Sequence, residues 1–195
     1  MNNDVKFARS ELILGGQKSG KSRRAELLAR DWLSASSDHQ AVLIATGQAH
    51  DEEMSARIAR HRLERTERVP GMSTVEEPLL LAEKIAELSN SKTLLVVDCV
   101  MLWLVNWLMP MGASNAGISS VEYEGQAARL TEVINNAPGP IVLVSNEIGL
   151  GVIPMGQQVR AFVDALGVLN QRIAAVCDRV TLVAAGLPLT LKGAA

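Results

Sequence analysis

Glu11-Leu12-Ile13-Leu14-Gly15-Gly16-Gln17-Lys18-Ser19-Gly20-Lys21-Ser22 runs directly into Arg23-Arg24-Ala25-Glu26-Leu27-Leu28-Ala29-Arg30-Asp31-Trp32-Leu33. A short apolar run, a glycine-rich turn and an amphipathic segment follow one another here. That is the strand–turn–helix context in which the pattern GxxxxGK[ST] cradles phosphate. The glycines let the backbone turn tightly and bring amide N–H groups around anionic oxygens. The start of the helix adds its partial positive charge. Gly15, Gly16, Gln17, Lys18, Ser19, Gly20, Lys21 and Ser22 are therefore the expected nucleotide cradle. Lys21 is expected to reach the β and γ phosphates, and Ser22 to hold Mg²⁺.

Outward from this turn, apolar runs alternate with amphipathic segments. Strands are expected at 11–14, 41–45, 93–98, 141–145 and 179–184, with a further one at 189–192. Helices are expected at 21–34, 51–65, 78–88, 100–108, 121–135 and 157–175. Several strand runs are apolar throughout, as a sheet covered on both faces requires. The alternation predicts an α/β phosphate-loop nucleotide-binding fold, with a mostly parallel central sheet and helices on both faces. No repeat or linker divides the 195 residues, so they read as one domain with residues 1–9 as a flexible tail. Thr66–Ser73, with Pro70 and Gly71, reads as a turn or flap, and Pro110–Ser120 as an irregular Gly/Ser/Asn-rich loop. In a parallel sheet, ligands bind beyond the carboxyl ends of the strands. The segments 15–22, 46–51, 98–99 and 146–151 all fall there.

Composition removes several classes of function. The net charge of −2 argues against a broad nucleic-acid-binding surface. Cys99 and Cys177 form no CxxC pair and no cluster with the three histidines, so neither a disulfide scaffold nor a zinc knuckle is expected. Two reduced, buried thiols fit a cytoplasmic protein, and the opening residues lack a signal-peptide core. Thr93–Met111 is long enough to span a bilayer, but Asp98 and Asn106 lie inside it, so a strand ending on a carboxylate is the preferred reading. Trp103 and Trp107, four apart, read as a core or subunit-contact pair.

Three further residues carry chemistry. Asp98 closes the run Leu94-Leu95-Val96-Val97, the pattern of a Mg²⁺-holding acid; the competing reading is a cap for the helix that follows. Glu147, after Ile141–Asn146, can orient an attacking hydroxyl, ligate metal, or be a plain loop carboxylate. His61 sits at helical spacing with Met54 and Ile58, which suits a polar tip on a packed face. A neutral imidazole is also a nucleophile toward the α-phosphorus of a nucleotide. Of the neighbouring arginines, Arg57 and Arg65 share the His61 side best. His50 has no matching partner pattern, and His39 falls in a polar turn where exposure is expected.

The ordered set of motifs resembles the bifunctional adenosylcobinamide kinase / adenosylcobinamide-phosphate guanylyltransferase family from about Glu11 to Lys192. The matching stretches are Gly15–Ser22, Ala45–Arg62, Thr74–Pro78, Val96–Asn106, Val144–Pro154, the Arg160/Phe162/Asp164 group, Gly167 with Asn170-Gln171, and Ala185–Lys192. The resemblance implies a RecA-like fold that can assemble as a trimer. It implies phosphorylation of the aminopropanol hydroxyl of adenosylcobinamide by ATP or GTP. GMP is then transferred from GTP through a histidine–GMP intermediate, whose histidine falls on His61. With His61 so assigned, Lys21 and Glu147 are the other expected catalytic groups and Ser22 and Asp98 the expected Mg²⁺ holders, as read above. The nearby arginines, Arg57 and Arg62 among them, are expected to neutralise the triphosphate, with Glu76 of the Thr74–Pro78 match beside them. Three positions depart from the pattern: Met72 stands where Trp is usual, Met101 where Thr is usual, and Lys18 where Arg is more frequent. The alternatives are a phosphate-loop small-molecule kinase without nucleotidyl transfer and a nucleotide-binding regulatory protein. The first lacks a GMP–protein adduct, and the second lacks turnover of adenosylcobinamide.

Overall fold

The computed structural model describes residues 7–49, 52–109, 120–152 and 154–193. Six α-helices and a seven-stranded sheet alternate along the described chain. The strands are β1 (Ser10–Gly15), β2 (Gln40–Ala45), β3 (Met72–Glu76), β4 (Thr93–Asp98), β5 (Ile141–Asn146), β6 (Arg179–Ala184) and β7 (Leu187–Lys192). The helices are α1 (Lys21–Ala35), α2 (Glu52–Arg68), α3 (Leu81–Leu88), α4 (Val100–Leu108), α5 (Ser120–Asn136) and α6 (Gln157–Val176). The sheet order is β3-β2-β4-β5-β1-β6-β7. All neighbours are parallel except the β6–β7 pair, which forms an antiparallel hairpin.

The apolar strand runs serve two cores at once. Leu12 and Leu14 of β1, Leu95 and Val97 of β4, and Ile141 and Leu143 of β5 face α3, α4, α5 and α6. The alternating partners Ile13, Leu94, Val96, Val142 and Val144 pack with Ala25 and Ala29 of α1. Period-two side-chain direction explains why no polar residue interrupts these strands. Trp103 is fully buried and Trp107 is 9% exposed, and both donate their indole N–H to the Leu79 carbonyl. The tryptophan pair is thus core. The run beginning at Thr93 divides into β4 and α4, and among the described residues no helix is long and apolar enough to cross a membrane.

The structure corrects three expectations. The segment 66–73 is not a flap: α2 continues to Arg68, Val69 is buried, and β3 begins at Met72 after a turn at Pro70-Gly71. β3 is a short, largely polar edge strand, so it carries no buried-strand signature. The helix expected from Pro78 starts at Leu81, because Glu77 first accepts the backbone N–H groups of Leu79 and Leu80 in a turn. His39 is half-buried, stacked on Trp32 with 3.8 Å between ring centroids. The tail expected at 1–9 falls mostly outside the described residues, while Phe7 lies edge-on to Trp32. The irregular loop expected at 110–120 also lies outside them, up to the start of α5, as does His50.

Candidate active site

The carboxyl ends of β1, β2, β3, β4 and β5 bring together Gly15, Ala45, Glu76, Asp98 and Asn146 along one edge of the sheet. The turn Gly16–Gly20 joins β1 to α1 here. Gly15 is irreplaceable on steric grounds, since a Cβ would sit 2.4 Å from the Val183 carbonyl oxygen. Gly20, at φ 105°, takes a backbone angle that side chains disfavour just before α1. Lys18 also adopts a positive φ of 56°. The Ser19 carbonyl accepts the Gly186 N–H at 2.8 Å, which ties the turn to the β6–β7 hairpin. Lys21 is buried at 7% exposure, and its Nζ donates to the Gly16 carbonyl at 2.7 Å, inside the curl of the turn. Ser19 Oγ is buried with no hydrogen-bond partner among the described residues. A buried cation and an orphaned hydroxyl in one glycine turn suit an anionic oxygen ligand.

Ser22 Oγ lies 3.5 Å from Asp98 Oδ1, although β5 separates β1 from β4 in the sheet. The helix-cap reading of Asp98 is set aside: the residue capping α4 is Cys99, and Asp98 turns toward α1 instead. Thr46 fixes the turn after Asp98, donating to the Cys99 carbonyl at 2.7 Å and accepting its N–H at 3.0 Å. One hydroxyl and one carboxylate form an oxygen donor pair that fits Mg²⁺, which takes its other ligands from phosphate and water. Among the described residues there is no group of three or more His, Cys, Asp or Glu that could hold a metal ion.

Glu147 follows β5, and its N–H donates to the Gly15 carbonyl at 3.2 Å. The carboxylate turns to the opposite face of the sheet from α1, where Asn170 of α6 holds it. Asn170 is 3% exposed; its Nδ2 donates to the Asn146 carbonyl at 3.0 Å and to Glu147 Oε2 at 3.4 Å, and its Oδ1 accepts from Ser145 Oγ at 2.7 Å. Glu147 is therefore a fixed group beside the turn.

His61 is half-buried on α2. Arg65, one turn further on the same helix face, is 8% exposed and donates to Thr74 Oγ1 at 3.2 Å. Burial pulls the Arg65 pKa below its ordinary value; Asp98 and Glu26 oppose that, while Arg62 and Arg68 add to it. Buried Glu26 of α1 receives a short hydrogen bond from Arg68 and lies 4.0 Å from Arg65 Nε. The second half of α2 is thereby clamped to the helix that opens the turn. Arg62 pairs with Glu76 at the end of β3, at the exposed rim of the same edge. Arg57 lies on α2, and its side chain is outside the described residues. Asn170, Thr46 and the Glu26 clamp were not picked out as site residues from sequence. The helical spacing of Arg57, His61 and Arg65 and the family resemblance over Ala45–Arg62 are the sequence signals that point to α2.

Residues 11–191 match the family model described as cobinamide kinase / cobinamide phosphate guanyltransferase. CobP of Pseudomonas aeruginosa, a bifunctional adenosylcobalamin biosynthesis protein, is 45% identical over 183 residues, covering 94% of this chain and 97% of its own length. CobU of Escherichia coli, named likewise, is 34% identical over 190 residues, covering 93% of this chain and 98% of its own. Among solved structures, the flagellar accessory protein FlaH from Methanocaldococcus jannaschii superposes with a TM-score of 0.52 at 11% identity, covering 96% of this chain and 80% of that one. That likeness bears on the fold alone.

Proposed function

The chain belongs to the cobinamide kinase / cobinamide phosphate guanyltransferase family, and from that premise we infer that one phosphate cradle serves both of its reactions. The protein is a bifunctional adenosylcobinamide kinase and guanylyltransferase of cobalamin nucleotide-loop assembly. The fold reading is a RecA-like phosphate-loop domain, supported by the glycine turn between β1 and α1 and by β5 inserted between β1 and β4. ATP or GTP is the phosphate donor and GTP the GMP donor, both held as triphosphate by Gly15–Ser22. Ser22 and Asp98 hold Mg²⁺, which when bound offsets phosphate charge. The assembly is a homotrimer, and the location is cytoplasmic.

In the first reaction the acceptor hydroxyl oxygen attacks the γ-phosphorus, and the bond to the nucleoside diphosphate breaks. Glu147 takes the hydroxyl proton, and Lys21 meets the charge spreading over the transferred group. In the second, an imidazole nitrogen of His61 attacks the α-phosphorus of GTP and pyrophosphate leaves. The phosphate of adenosylcobinamide phosphate then displaces the imidazole, forming the pyrophosphate link of adenosylcobinamide-GDP. Arg62, paired with Glu76 at the end of β3, and Arg57 of α2 are the further groups assigned to the nucleotide.

The observation that carries this reading is the placement of α2. Arg68 bonds Glu26 of α1, Arg65 Nε lies 4.0 Å from the same carboxylate, and His61 stands one turn before Arg65 on that helix face, which supports a role for α2 beside the turn. The test is His61→Ala. Guanylyl transfer is abolished, while phosphorylation of adenosylcobinamide persists near the wild-type rate. Retained guanylyl transfer in that variant refutes the covalent route.

A further inference from the structure

We propose that the cleft beneath α6, beside Glu147, receives the hydroxyl-bearing side arm of the corrinoid acceptor during phosphorylation. The proposal deepens the reading above and rests on Glu147 as the group that takes the acceptor's proton. The cleft has a volume of about 310 Å³ and is walled by Leu14, Glu147, Gly167, Asn170, Gln171 and Leu191, among others. Two of its lining residues connect to the phosphate cradle: Leu14 precedes Gly15 in the chain, and the Glu147 N–H bonds the Gly15 carbonyl. An arm entering here presents its hydroxyl to a carboxylate that Asn170 already holds in place.

Gly167 supplies the second argument. It lies inside α6, where glycine costs roughly 0.8–1.0 kcal/mol relative to alanine. No positive φ requires it, and an added Cβ would meet no heavy atom within 4 Å. Neither backbone conformation nor helix packing accounts for the glycine. It leaves open space on the cleft wall, one turn before Gln171 and three residues before Asn170.

Size and polarity select which part of the acceptor fits. Ligand pockets run from roughly 300 to 1,000 Å³, so this one stands at the small end and excludes a whole corrin ring. Leu14, Ala174, Val180 and Leu191 offer apolar walls, and the Gln171 amide offers a donor and an acceptor. An amide-linked aminopropanol arm carries matching groups: methyl, amide and hydroxyl. With the arm seated, its hydroxyl oxygen forms the new bond to the γ-phosphorus, the nucleoside diphosphate departs, and the proton passes to Glu147.

The test is steady-state phosphorylation by Gly167→Leu and Gly167→Ala, with folding checked by circular dichroism. Filling the cleft with the leucine side chain raises the KM for adenosylcobinamide by about tenfold or more, and the alanine methyl raises it by about two- to fivefold. The KM for the triphosphate stays within about twofold of wild type in both, because uniform binding is lost for one substrate alone. An unchanged acceptor KM in either folded variant overturns the proposal, as does a parallel rise in the triphosphate KM. Should Gly167→Leu not fold, Gly167→Ala decides, since its methyl has room. Glu147→Gln separates the two readings: wild-type phosphorylation in that variant refutes the proton-acceptor role and leaves the Gly167 result standing.

Discussion

Gly15→Ala is the sharpest perturbation of the cradle, because its cost can be worked from contacts. The added Cβ would lie 2.4 Å from the Val183 carbonyl oxygen and 2.6 Å from Ser19 Oγ. The Ser19 hydroxyl can rotate away. The Val183 carbonyl cannot, since β6 is held by β1 on one side and by β7 on the other. The first contact is about 0.6 Å inside the closest approach a Cβ tolerates, so the turn itself must move. Overpacking of this kind costs about 1–3 kcal/mol. At about 2–4 °C per kcal/mol for a chain of this size, Tm falls by roughly 2–12 °C in scanning calorimetry. The displaced turn also loses its fit to phosphate, and triphosphate affinity, measured by titration calorimetry, drops by about tenfold or more. Gly16→Ala is the control: its Cβ would meet nothing within 4 Å, and it changes stability by no more than about 0.5 kcal/mol. A Gly15→Ala protein with wild-type Tm and wild-type triphosphate affinity would refute the steric reasoning.

Asn170→Ala removes the group that fixes Glu147 and leaves the Ser145 hydroxyl without its acceptor, at a cost of about 1–3 kcal/mol. Its kcat for phosphorylation falls and the pH profile of that reaction shifts, while guanylyl transfer keeps its profile; equal losses in both reactions would reduce Asn170 to a structural role. Burial pushes the thiols of Cys99 and Cys177 up to about 12 from 9.0, so neither is alkylated by iodoacetamide at pH 8 until the chain unfolds. Because these pKa values are raised in the folded state, their contribution to stability is intact below pH 9 and is lost as the pH climbs from 9 toward 12. Urea titrations at pH 7.5 and pH 10 check this, and equal stabilities would contradict it.

The sheet was legible because burial on both faces leaves uninterrupted apolar runs, as in 94–97 and 141–144, and the glycine turn marks where the first of them ends. β3 was not legible, since an edge strand with Ser73, Thr74 and Glu76 toward solvent has no apolar run to read. The site divided along a similar line. Residues close in sequence to a strand end, such as Lys21, Ser22, Asp98 and Glu147, declare themselves through local pattern. Asn170 lies 23 residues from Glu147 on a different element, and Glu26 lies 42 residues from Arg68. Partnerships of that kind depend on how helices settle on the sheet, which periodicity alone does not encode. His61 stands between these cases: its spacing marks a packed helix face, while the Glu26 contacts that tie α2 to α1 are visible only in the folded chain.

The most direct test of a shared nucleotide between the cradle and α2 is peptide mass spectrometry after brief incubation with GTP and Mg²⁺ in the absence of acceptor. The account predicts one GMP on the peptide carrying His61, attached in an acid-labile and base-stable bond, and its loss in Lys21→Ala. A GMP on any other residue, or wild-type protein that transfers GMP to adenosylcobinamide phosphate without forming an adduct, would contradict it.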